Sequence, residues 1–242
     1  NADFALARYN ADGTPDLTFG GDGIVTTPVG TSSDYGFGSA LQADGRILVC
    51  GGVADGSDYD FGLVRYNADG SLDTSFGGGD GIVTTPIGPA NDMAYAVDLQ
   101  SDGGILVAGY IKTDTVNEFA LVRYNSDGSI DTAFGGGDGI VTTPIGSNHA
   151  DGYNVVVQPD DKIIVVGTGR ETGPNGFTVV RYNADGTLDT TFGGDGIVTT
   201  PVGIGSGAAW EAVFQPDGRI VVVGSSYDGR DNDFAAVRYN TD

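Results

Sequence analysis

The chain has 242 residues, a net charge of −22 and a pI near 4.1. A surface this acidic repels nucleic-acid phosphates and anionic membranes, and no apolar run approaches the length of a membrane span. With 42 Gly and only 18% charged residues, the composition suits many short strands joined by tight turns and disfavours helices or disorder.

In chain order, the first predicted strands cover about residues 3–9 and 23–29 and are joined by a turn ending in “FGGDG”. A strand follows that ends at Gln42, then a turn “ADG”, then the apolar “GRILVCG”. Cys50, the single cysteine, sits in that strand; no intrachain disulfide is available, and the residue reads as buried filler. The next strand, “FGLVRYN”, brings the first words back. From here the chain repeats itself. Its motif arginines stand at 8, 65, 123, 181 and 238, separated by 57, 58, 58 and 57 residues. The one-residue difference is a single glycine, “FGGDG” against “FGGGDG”. Turn Asp to next Gln is always 20 residues, as from Asp22 to Gln42, and Gln to next Arg is always 23.

Each period therefore holds four strands enriched in Val, Ile, Tyr, Phe and Thr, without a sustained helical period. Radial stacking covers both faces of such sheets and leaves only short edges. The expected fold is all-β, a single propeller domain over residues 1–242 with four four-stranded antiparallel blades and a partial fifth repeat. A fragment of a larger propeller and a β-solenoid are the alternatives. Ring closure is expected through the N-terminal strand four completing the last blade. Phe4–Tyr9 and Phe234–Tyr239 then compete for one strand-three slot, and the loser is free to pair with another chain. Homo-oligomers or head-to-tail fibres follow as one expectation. Asn1, with no leader before it, predicts a mature product or an excised piece.

The words “RYNADGSLDTSFGGGDGIVTTP” (65–86) and “GGILVAG” (103–109) resemble the delta-sixty repeat family of bacterial proteins. The resemblance covers essentially the whole chain. It implies a β-propeller domain of unknown function and an extracellular or cell-surface setting, and it brings no catalytic residues.

The spacing of Asn67, Asp69 and Asp73 is that of the middle of a calcium loop. Its first ligand position would fall on Arg65 and its twelfth on Phe76, which argues against a full site. The preferred reading is structural: Arg8, Arg65, Arg123, Arg181 and Arg238 are buried ion-pair partners of a following Asp, and “NADG” is an Asx-type turn. Calcium stays open as an alternative, and no other cofactor is expected. The “GGDG” run opens no helix, so it is not a phosphate loop. Phe37, Tyr95, Tyr153 and Trp210 recur at one place in strand one and are expected to fill space between blades, with sugar stacking as the alternative.

The connections from strand two to three, and from strand four to the next strand one, carry all the differing words. In a propeller they emerge on one face, which is therefore the expected recognition surface. Its candidates are Tyr35, Asp58, Tyr59, Asp92, Lys112, His149, Asp151, Arg170, Glu171, Tyr227 and Arg230. His149 is the only histidine, no Ser or Cys lies in a nucleophile elbow, and a zinc ligand set is missing. The expected function is a non-catalytic surface module that binds a protein or glycan, with neither nucleic-acid binding nor membrane insertion. A glycoside hydrolase or lyase using carboxylates such as Asp151 and Glu211 is one alternative, and a fibre-forming subunit another.

Overall fold

The computed structural model describes residues 1–56, 58–147, 149–170 and 173–241, and these form seventeen strands and no helix. β1 (Phe4–Ala7) and β2 (Ile24–Thr27) pair alone. Three four-stranded antiparallel meanders follow. The first is β3 (Tyr35–Leu41), β4 (Ile47–Asp55), β5 (Asp58–Tyr66) and β6 (Ile82–Thr85). The second is β7 (Met93–Leu99), β8 (Ile105–Lys112), β9 (Asn117–Tyr124) and β10 (Ile140–Thr143). The third is β11 (Asp151–Val157), β12 (Ile163–Gly169), β13 (Gly176–Tyr182) and β14 (Ile197–Thr200). The last sheet has three strands, β15 (Gly207–Phe214), β16 (Ile220–Tyr227) and β17 (Asn232–Tyr239).

This is the all-β architecture of stacked propeller blades, with one correction. β2 pairs with β1 and does not add to β15–β17, so the blades form an open row and no four-bladed ring. Neither terminal strand three displaces the other: β1 lies on the first full blade, and β17 edges the last.

Stacking is driven by one residue per blade. Phe4, Phe61, Phe119 and Phe177 occupy the same place in strand three, and all are fully buried. Phe4 reaches across to Gly36, Gly51 and Gly62 of the next blade, a floor of small residues where an added Cβ would meet its ring. Burial of one such ring stabilises by about 1.5–3 kcal/mol. Tyrosines bridge back. Tyr66, Tyr124 and Tyr182 are buried, and their hydroxyls lie 2.7 Å from Thr27, Thr85 and Thr143 on strand four of the preceding blade. Tyr239 donates to Thr200 at 2.8 Å.

The repeated turn is closed by an arginine. Arg65 Nε donates to Asp73 at 2.8 Å, its guanidinium lies 4.3 Å above the Phe76 ring, and Nη1 reaches the Ser126 carbonyl of the next blade at 2.5 Å. Arg181 does the same with Asp189 at 2.7 Å, Phe192 at 4.6 Å and Thr241 O at 2.6 Å. Both pairs are buried. A second cation joins each carboxylate, Arg46 on Asp73 and Lys162 on Asp189, at 3.0 Å. Burial alone would raise the Asp189 carboxyl. Hydrogen bonds from Thr191 and Lys162 and the Arg181 charge outweigh it and hold the group well below the usual carboxylate range.

The five arginines are not alike, and three depart from the expectation of a buried Arg–Asp pair. Arg8 pairs with Asp16 at 2.8 Å but is one-third exposed. Arg123 turns its Nε to Gln100 at 2.6 Å and bonds Asp131 and Asp102 through its other nitrogens. The reason is local: Gly104 stands where the other copies have Arg46, Lys162 and Arg219, and a Cβ there would collide with the Arg123 guanidinium. Arg238 is exposed and makes no ion pair among the described residues.

Removing one partner of a buried pair strands the other charge. Arg181→Ala is therefore expected to destabilise by roughly 3–5 kcal/mol, against a negligible change for the exposed Arg230→Ala. Thermal melts of the two variants check this, and equal shifts would refute it.

Candidate functional site

Strand one of every blade carries a β-bulge, and the bulged residue is the recurring aromatic. Register skips between Gly36 and Gly38, Ala94 and Ala96, Gly152 and Asn154, and Ala209 and Glu211. The residues passed over are Phe37, Tyr95, Tyr153 and Trp210. A bulge re-aims its side chain and kinks the strand. The kink presses the strand-one backbone onto strand two, so that a Cβ at Gly51, Gly109, Gly167 or Gly224 would overlap the carbonyl oxygen of Tyr35, Met93, Asp151 or Ala208. Glycine is required there by close approach and not by backbone angle.

The re-aimed rings meet one another from blade to blade. Centroids are 5.0 Å apart for Phe37 and Tyr95, 5.4 Å for Tyr95 and Tyr153, and 4.5 Å for Tyr153 and Trp210. The rings do bridge neighbouring blades, but they are not sealed in the core: Phe37 and Trp210 are each 51% exposed. Tyr35, itself 42% exposed, extends the row at 6.3 Å from Phe37 and touches Tyr59 at 5.9 Å. Tyr110 packs on Tyr95 at 6.0 Å. Burial, the neighbouring Tyr95 and nearby Asp151 and Asp92 push the Tyr110 hydroxyl up to about 12. Seven rings thus form one continuous surface.

The two classes of differing loop do share a face, because they hydrogen-bond to each other. Tyr59 N donates to Asn91 Oδ1 and Asn117 N to His149 Nδ1, at 3.0 and 2.9 Å. Tyr227 O accepts from Ile204 N at 3.1 Å. The candidates on this face fare differently. Tyr35 and Tyr59 join the aromatic row. Asp151 lies at its centre, accepting from Asn117 Nδ2 at 2.7 Å and from the Tyr153 hydroxyl at 3.3 Å. Tyr227 is partly exposed, and Lys112, His149 and Arg230 are exposed. Asp58 is half-buried, and Arg170 donates to Gly173 O at 3.2 Å. Glu171 lies outside the described residues.

Asp92 is a correction. It is fully buried, and its carboxylate accepts from Ile87 N at 3.0 Å, Gly88 N at 2.6 Å and Lys112 N at 3.3 Å. Asp34 holds the preceding loop in the same way through Val29 N, Gly30 N and Ala54 N. These aspartates are buried and hold their loops from within. A sequence reader sees Asp in a variable loop; the signal that distinguishes it is its place one residue before strand one, which Asp34 shares and where the other two copies have Ala150 and Ser206.

On the opposite face, the calcium candidates are occupied by the turn itself. Asn67 donates to Ser71 Oγ, Asp69 accepts from Ser71 N and Oγ, and Asp73 takes Arg65 and Ser75. No group of three His, Cys, Asp or Glu side chains is arranged to hold a metal among the described residues. Cys50 is buried, which pushes its thiol up to about 12.

Stacked antiparallel blades with a bulged innermost strand define a β-propeller repeat protein. The chain belongs to the family described as a domain of unknown function (DUF5122) β-propeller, whose model matches residues 1–19, 42–76, 100–134, 158–192 and 215–242. The four bulged rings all fall between the matched segments. No curated protein matches the chain. Among solved structures it is similar to a protein of unknown function from Bacteroides caccae, at 15% identity and a TM-score of 0.52 over 99% of this chain and 71% of that one. It is also similar to an ulvan lyase, a polysaccharide lyase solved with a saccharide bound, at 11% identity and a TM-score of 0.52, covering 90% of this chain and 55% of that one. At these identities the likeness is one of fold.

Two outcomes test this geometry. Gly109→Ala is expected to cost about 1–3 kcal/mol by overpacking against the Met93 carbonyl, read as a lower urea midpoint. Asp60 is the second case. Its carboxyl is raised by burial and by the charges of Asp92, Asp58 and Asp55. A raised folded-state value means that ionisation works against folding, a cost absent at acid pH and present once the pH exceeds that value. Asp60→Asn is therefore expected to raise the melting temperature at pH 7 and to leave it unchanged at pH 3, with the gain shrinking in high salt. A gain at both pH values would contradict the assignment.

Proposed function

We propose that this chain is a non-catalytic recognition module of a secreted or cell-surface protein, and that it binds a neutral glycan across the aromatic row. The observation that supports this reading is the continuity of the surface. The bulged rings run without a break into Tyr35 and Tyr59 on the face where the repeats differ. Pyranose rings have one apolar C–H face that stacks on Tyr and Trp, and hydroxyls that need a few placed polar partners. Asp151, Asn117 and the tyrosine hydroxyls are such partners along the row. The charge of −22 favours a neutral saccharide over a sulfated or uronic one, and over nucleic acid.

Affinity electrophoresis with neutral and anionic polysaccharides tests the reading. Trp210→Ala and Tyr35→Ala are expected to weaken binding of the retained neutral polymer about tenfold each, from the loss of one stacking contact of about 0.5–1.5 kcal/mol and its buried area. Arg219→Ala, on the face of repeated words, is expected to change nothing. Retention of full affinity in the double variant Trp210→Ala/Tyr35→Ala would refute the proposal. The reading needs no bound cation, so a chelator is expected to leave both affinity and melting temperature unchanged.

A further inference from the structure

The aromatic row is built on one plan, and a single polar position departs from it. The residues whose carbonyls meet the strand-two glycines are Tyr35, Met93, Asp151 and Ala208, so only the third of these blades sets a carboxylate there. Asp151 also differs from the acids beside the row in the first two blades. Asp34 and Asp92 are buried and taken up by backbone amides of their own loops. Asp151 is only partly buried, and it bonds a ring of the row itself, accepting from the Tyr153 hydroxyl at 3.3 Å.

The setting of this carboxylate is fixed from several sides. Its Oδ1 accepts from Asn117 Nδ2 at 2.7 Å. Asn117 is held in turn through its backbone N–H, which donates to His149 Nδ1 at 2.9 Å. The same latch recurs where Tyr59 N donates to Asn91 Oδ1 and Ala2 N to Ser33 Oγ, each acceptor lying two residues before strand one. Behind the group, the Asp151 carbonyl sits against Gly167. A carboxylate accepts at about four lone-pair sites and donates at none. Among the described residues, Asn117 and Tyr153 take one site on each oxygen, which leaves one on each for a ligand. Burial first, and the Asp151 charge after it, push the Tyr95 and Tyr153 hydroxyls up, so both stay protonated as donors beside it.

We propose that Asp151 is the specificity-determining residue of the row, and that the saccharide it selects presents two free hydroxyls on adjacent ring carbons. This rests on the glycan reading and narrows it. Stacking on Phe37, Tyr95, Tyr153 and Trp210 discriminates little between sugars, because it uses the apolar C–H face that pyranoses share. The carboxylate discriminates strongly. Two neighbouring O–H groups donate one to each of its oxygens, as a bidentate pair. An ether or a sulfate ester has no proton to give and sets an oxygen lone pair against the carboxylate. The polar group of the site is then left unpaired, which costs more than the bond itself contributes. Asn117 acts as a positioning residue by holding Oδ1, and His149 by holding Asn117.

Affinity electrophoresis with dextran, galactomannan and lichenan, each unmodified and O-methylated, tests the proposal. The quantity read is the ratio of affinities for the two forms of whichever polymer is retained. The full chain is expected to prefer the unmodified form about ten- to hundredfold. Laminarin, whose linkage separates its ring hydroxyls, is expected to bind no better than the O-methylated forms. Asp151→Asn is expected to bring the ratio close to one, because an amide donates to an ether oxygen where a carboxylate repels it. Trp210→Ala is expected to weaken both forms alike and to keep the ratio. Asn117→Ala leaves the carboxylate in place without its anchor; it is expected to lower the ratio, and it carries the test if Asp151→Asn does not fold. A ratio near one in the full chain, a ratio unmoved by the Asp151 and Asn117 variants, or laminarin held as tightly as the retained polymer would overturn the assignment and leave the glycan reading standing. Retention of none of these polymers would remove the glycan reading and the assignment with it.

Discussion

A four-stranded sheet of this repeat has two apolar faces and can cover neither by itself. The phenylalanine that opens strand three resolves this by crossing to the next blade, where glycine and alanine leave room for it. The other contacts between blades build on that one. Once the sheets are stacked, the tyrosine of one blade comes within reach of the threonine behind it, and the arginine within reach of the carbonyl ahead. The small floor and the large knob are therefore a single device, and the bulge on the innermost strand is its companion. By bending strand one onto a glycine, the bulge frees an aromatic from packing duty and turns it toward its counterparts.

The arginine turn shows how tightly such a repeat couples its parts. In two copies the guanidinium is buried between a carboxylate, a ring and the neighbouring backbone. In the third, loss of one side chain at Gly104 is enough for Arg123 to choose different partners. Ala133, which lacks the hydroxyl of Ser75 and Thr191, removes a further anchor. The same sequence word thus supports two arrangements, and the choice is made by a residue about twenty positions upstream, in the turn that leads into β8.

Most of the fold could be read from the chain because its signals are local and repeated: alternating apolar strands, Asx turns, and a period fixed by glycine. The Arg–Asp turn was legible for the same reason, from the fixed spacing of Arg65 and Asp73. Four things were not. Closure depends on the angle between blades, a property of packing that no word encodes, and the row is open. The role of Phe37, Tyr95, Tyr153 and Trp210 turned on a one-residue bulge, which strand periodicity does not register. Asp92 read as a loop carboxylate, whereas three backbone amides bury it. Arg238 carried the motif but makes no ion pair among the described residues.

The arginine bonds also impose a direction on synthesis. Arg65 is completed by Ser126, and Arg181 by Thr241, about sixty residues further along the chain. These two turns lack a bond until the following repeat has left the ribosome, whereas the Arg123 guanidinium, bonded to Gln100, Asp102 and Asp131, has its partners without one. A growing chain therefore finishes the Arg65 and Arg181 turns only as the next repeat folds against them.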